Sequence, residues 1–81
     1  MEQQELLSTV LSTLTTIAPE VETDALIVDK PLREQVDLDS MDWLNFLIGL
    51  HQKLKVDIPE SDYAKLRTLN DLLAYLRAKA G

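Results

Sequence analysis

Apolar residues recur at spacings of three and four along separate stretches of this chain, and no strand pattern accompanies them, so packed helices are expected and no sheet. In the first stretch Leu6, Leu7, Val10, Leu11, Leu14 and Ile17 form one stripe, which predicts a helix over about 3–17. Pro19 ends it, because proline lacks an amide hydrogen and restricts the residue before it. A second helix, over about 40–54, carries apolar residues on more than one face: Met41, Leu44, Leu47, Ile48, Leu50 and Leu54, widened by Trp43 and Phe46. It is too apolar to bury one side only. Pro59 suits the first position of a short third helix over about 60–66. Thr68, with Asp71 three residues on, caps a fourth helix over about 69–79 whose buried stripe is Leu69, Leu72, Leu73 and Leu76.

The expected fold class is therefore all-α, a single domain over 1–81. A chain of 81 residues has little room for both a full core and an enclosed active site. Hydrophobic residues make up 46% and charged ones 27%, which is a globular rather than a disordered composition. Without cysteine there is no disulfide, no thiolate metal site and no thiol nucleophile. The net charge of -6 opposes binding to a phosphate backbone, so nucleic acid is not an expected partner. Residues 1–42 hold ten acids against Lys30 and Arg33, whereas 43–81 hold four against six bases, so the acidic surplus belongs to the first half. No apolar run approaches the roughly 20 residues that span a bilayer, and the opening MEQQELL lacks the basic region of a secretory signal. A cytoplasmic protein without membrane insertion is expected.

Residues 18–39 have no sustained period; they read as a long ordered loop with a short helical turn at about 31–35. A connection of that length inside a compact domain is often functional. It leads into VDLDSMDWLNFLIGLHQKL, from Val36 to Leu54, where Ser40 stands at the mouth of the second helix behind Asp37 and Asp39. Taken locally, Ser40 and Asp39 read as helix caps, with Asp42 three residues beyond Asp39 in a box-like arrangement. The same position is also suited to a phosphodiester on the Ser40 hydroxyl, whose charge would meet unpaired amides and the positive end of the helix dipole. His51 lies about three turns further along the helix, too far to serve as a base for Ser40, and reads as a surface residue. A calcium loop through Asp37, Asp39 and Asp42 fails, because its required glycine would be Asp42 and its closing glutamate Ile48. No metal site is assigned.

Beyond Ser40 come Val56-Asp57-Ile58-Pro59, a short helix, Thr68-Leu69 and the closing Leu72-Leu73-Ala74-Tyr75-Leu76. From about Leu6 to Leu76 this layout, with Asp39-Ser40-Met41 at the head of the second helix, resembles the acyl and peptidyl carrier protein family, whose core there is Asp-Ser-Leu. The resemblance implies a four-helix acyl-carrier-like bundle, monomeric and not itself an enzyme. It implies 4'-phosphopantetheine, moved from coenzyme A to Ser40 by a phosphopantetheinyl transferase with magnesium, and an acyl or aminoacyl cargo held as a thioester. Loading and processing enzymes of fatty acid, polyketide or other lipid metabolism are the implied partners. The implied acyl pocket lies between the second and fourth helices, with Phe46, Leu47, Leu50, Ile58, Leu66, Leu72 and Leu76 as lining; each is also an ordinary core residue. Recognition by the transferase and partners falls to Asp37, Asp39, Met41, Asp42, Leu44, Asn45 and Ile48.

This sequence departs from the fatty-acid carriers on the exposed face of the second helix. Where those are rich in glutamate it has Asn45, His51 and Gln52, followed by Lys53, and only Asp37, Asp39 and Asp42 stay acidic. That points to a specialised carrier with changed partners. Trp43, Phe46 and Tyr63 add bulk, and Trp43 reads either as packed against the long loop or as a partner contact. Gly49, costing a helix about 1 kcal/mol relative to alanine, fits either close helix packing or approach by a partner. The competing function is a non-catalytic interaction module with Ser40 as no more than a cap.

Overall fold

The computed structural model describes residues 2–80 and is all-helical. Helix α1 runs Gln3–Ile17, α2 is the short Leu32–Gln35, α3 runs Ser40–Leu54 and α4 Leu69–Ala80; 3-10 turns occupy Thr23–Ala25 and Glu60–Lys65. The three long helices fall where the apolar periods put them. The short third helix lies where expected as well, at Glu60–Lys65, and is of the 3-10 type, with Asp62 N–H donating to Pro59 O (2.9 Å) and the closing Leu66 N–H to Tyr63 O (3.1 Å). Six residues offer few i,i+4 bonds, and the tighter turn is the usual form of so short a piece.

Helix α1 packs against both α3 and α4. It contributes Leu6, Val10 and Leu14; α3 contributes Trp43, Phe46, Leu47 and Leu50; α4 contributes Leu69, Leu72, Leu73 and Leu76, all buried in one core. Each such side chain is worth about 1.5–3 kcal/mol when fully buried. Thr13 is buried too, its Oγ1 donating to Thr9 O at 2.7 Å, and its methyl faces Gly49 so closely that a Cβ there would lie 2.9 Å from Thr13 Cγ2. Gly49 thus serves close packing of α1 on α3. Trp43 is buried, its ring 5.2 Å from that of Phe46, so it is a core residue and not a partner contact.

The long loop is tied down rather than free. Leu32 N–H donates to Arg67 O and Asn70 N–H to Val28 O, each at 2.9 Å, beside an antiparallel bridge between Pro31 and Thr68. Gln35 closes the loop on itself: its Oε1 accepts from Ile27 N–H (2.7 Å), and its Nε2 donates to Ile27 O (2.8 Å) and Lys30 O (2.9 Å). The expected turn at 31–35 is therefore present as α2 and acts as the loop's anchor.

Candidate functional site

Residues 36–39 approach α3 as extended chain with alternating exposure: Val36 and Leu38 are buried, Asp37 and Asp39 exposed. Two apolar anchors, with Arg33 Nε donating to Leu38 O at 3.3 Å, fix where α3 begins. Asp39 is its N-cap: Oδ1 accepts from Asp42 N–H at 2.8 Å, and its carbonyl takes the first helical bond from Trp43 N–H at 3.0 Å. Asp42 does not return a bond to Asp39, so the box is half made. At α4 it is complete, with Asp71 N–H donating to Thr68 Oγ1 (3.0 Å) and Thr68 N–H to Asp71 Oδ2 (3.2 Å).

Ser40, exposed, is the first residue inside α3 and does not cap it. Among the described residues its hydroxyl makes no hydrogen bond, and neither do the amides of Ser40 and Met41. The reading of Ser40 as no more than a cap is corrected here, because Asp39 fills that role. A phosphodiester fits the position: the hydroxyl faces solvent, and two open amides lie at the positive end of a four-turn helix.

Met41 (62% exposed), Asn45 and Ile48 (40% exposed) follow at helical spacing on the outer face of α3, with Leu44 and Asp42 half-buried along its margins. His51, Gln52, Lys53 and Lys55 continue that exposed surface towards the helix end. Lys55 closes the helix in the left-handed conformation, φ 53°.

The seven expected pocket residues, Phe46, Leu47, Leu50, Ile58, Leu66, Leu72 and Leu76, come together, all buried in the core. Two surface clefts among the described residues are lined by other side chains. One, of about 340 Å³, lies in the long loop; the other, of about 270 Å³, lies between α1 and α4.

Sequence reasoning missed the Gln35 clamp and a polar latch between the Glu60–Lys65 turn and α4. Tyr75 Oη donates to Asp62 Oδ2 at 2.6 Å, and Lys65 Nζ lies 3.5 Å from Asp62 Oδ1. Burial, reinforced by the bond to Asp62, pushes the Tyr75 hydroxyl up to about 12, while that same bond holds Asp62 below its ordinary value. Asp62 and Tyr75 are 13 residues apart on different elements, and no local period joins them.

The bundle thus offers an exposed, unengaged hydroxyl at the mouth of α3. The profile of the phosphopantetheine attachment site family matches residues 5–76. An acyl carrier protein of Kineococcus radiotolerans is 32% identical over 59 residues, 73% of each chain; one of Rhodococcus erythropolis is 32% identical over 57 residues, 70% of this chain and 63% of the relative. The fold matches a solved acyl carrier protein from Enterococcus faecalis with a TM-score of 0.77 at 18% identity, over 98% of this chain and 99% of that one. The chain belongs to the acyl carrier, phosphopantetheine-binding family: a non-catalytic carrier of covalent 4'-phosphopantetheine.

Proposed function

We propose that Ser40 is the attachment point and that 1–81 acts as one carrier domain. The observation that carries this reading is the exposed, unengaged Ser40 hydroxyl beside an aspartate that already caps the helix. In the transfer, the Ser40 oxygen loses its proton to a base and forms the phosphoester bond as the phosphoanhydride of coenzyme A breaks and adenosine 3',5'-bisphosphate leaves. The base is assigned to the transferase, since His51, the one histidine of the sequence, sits three turns away. Bound to Ser40, the group supplies a thiol that holds cargo as a thioester.

Asp37, Asp39 and Asp42 offer a transferase negative charge around Ser40, and Met41, Leu44, Asn45 and Ile48 offer a mixed apolar and neutral face. That face lacks acids, and the helix end beyond it is basic at Lys53 and Lys55. This supports a carrier for specialised acyl- or aminoacyl-processing enzymes of a lipid or secondary-metabolite pathway; that it works as a cytoplasmic monomer is part of the same proposal. No helix among the described residues is long and apolar enough to cross a membrane. Incubation with coenzyme A and a broad-specificity transferase, followed by intact-mass measurement, tests the reading. One phosphopantetheine should be gained by the wild type and none by Ser40→Ala; no gain with several transferases sinks it.

A further inference from the structure

The cleft of about 340 Å³ lies in the long loop, apart from the capping of α3, with Val21, Leu26 and Val36 of its wall backed by the core. Its apolar lining is Val21, Ala25, Leu26 and Val36. Three exposed carboxylates, Glu20, Glu22 and Asp37, complete it, and none of them is in an ion pair among the described residues. The one other polar lining side chain, Gln35, has its amide committed to Ile27 and Lys30. Here, then, is an apolar groove with uncompensated negative charge and no basic residue in its wall.

We infer that this groove receives an aminoacyl cargo carried on the Ser40 arm, its α-ammonium among the carboxylates and its side chain on the apolar wall. This rests on the attachment of phosphopantetheine to Ser40. Three points carry it. First, reach: the three residues from Asp37 to Ser40 span at most about 11 Å when extended, less than the length of phosphopantetheine. Second, exclusion from the core: the seven buried residues proposed for an acyl pocket offer no polar partner, and an ammonium moved among them would be unpaired and desolvated. Third, tethering: an open groove of this size holds a free ligand poorly, but a cargo on a short flexible arm is present at an effective concentration in the millimolar range. A weak site is then occupied. Charge complementarity selects an aminoacyl group over its uncharged acyl isostere, and the selection should weaken in high salt because the carboxylates are exposed.

The test compares two arms of the same shape. Wild-type protein is loaded by a transferase with the leucyl or the 4-methylpentanoyl amide of amino-coenzyme A, which differ only in the α-ammonium, and loading is verified by intact mass. Amide NMR shifts of Val21, Ala25, Leu26 and Val36 are then measured against protein carrying the unacylated arm. The leucyl arm should move them at least threefold more than the 4-methylpentanoyl arm, and the paired variant Glu20→Gln/Glu22→Gln, altered only at exposed side chains, should lose most of that difference. Equal shifts from both arms, no shift from either, or a difference that survives in the variant each overturn the inference. Failure of both arms to load at Ser40 overturns the attachment reading instead, and is told apart by the mass measurement.

Discussion

Gly49→Ala should destabilise this protein although alanine is the better helix former. In an exposed helix the change gains about 1 kcal/mol. Here the new methyl would lie 2.9 Å from Thr13 Cγ2, and Thr13 cannot swing aside: it is β-branched, buried, and holds Thr9 O through its hydroxyl at 2.7 Å. Overpacking of this kind costs about 1–3 kcal/mol. The net expectation is a loss of about 1 kcal/mol, or roughly 4–8 °C in Tm for a domain of this size. Thr13→Ser keeps the hydroxyl bond and deletes the clashing methyl, at a loss of about 1 kcal/mol on its own. In the double variant the alanine methyl occupies the vacated space, so stability should return to within about 0.5 kcal/mol of wild type, a favourable coupling of about 1.5–2 kcal/mol. Urea denaturation of the four proteins measures the cycle. A Gly49→Ala protein more stable than wild type, or two changes that simply add, would refute the close α1/α3 approach.

The Tyr75–Asp62 latch makes stability depend on pH at both extremes. Asp62's contribution is full above its unfolded value of 3.8 and is lost as pH falls through its lowered folded value; Tyr75's is full below 10.0 and is lost as pH rises through about 12. Tyr75→Phe should flatten both slopes in denaturation midpoints taken across those ranges; unchanged slopes would exclude the latch as their source. Gln35→Ala removes three hydrogen bonds to Ile27 and Lys30 and should cost about 1–2 kcal/mol, with faster hydrogen exchange at the Ile27 amide and little change in α4. Lys55→Gly should stabilise by about 0.5–1 kcal/mol in thermal unfolding, because φ 53° is left-handed and glycine adopts it without strain.

The long helices were legible because each buries one continuous stripe, and Pro19 marks the end of the first as plainly as Asp39 marks the start of α3. The Thr68/Asp71 box was legible for the same reason: its partners are three residues apart, within one helical turn. The short helix at Glu60–Lys65 is legible in place but not in type, because a short apolar and polar mixture under a proline does not distinguish i,i+3 from i,i+4 bonding. At the site, the spacing after Ser40 singles out the serine, but that Asp39 takes the cap and leaves the hydroxyl open depends on backbone geometry that the sequence does not carry. Trp43 was ambiguous on a helix apolar over much of its surface; its place beside Phe46 depends on how far the helix rolls towards α1 and α4, which Gly49 and Thr13 help to set. Gln35 and the loop groove were invisible, since both depend on the path of residues 18–39 and no periodicity encodes that path.

Fragmentation mass spectrometry of the peptide spanning Ser40, from protein purified after expression with a transferase, addresses the central claim most directly. The account predicts one phosphopantetheine, located on Ser40 and absent from Ser40→Ala protein whose circular dichroism is unchanged. A phosphopantetheine located on another residue, or one retained by Ser40→Ala, would contradict it.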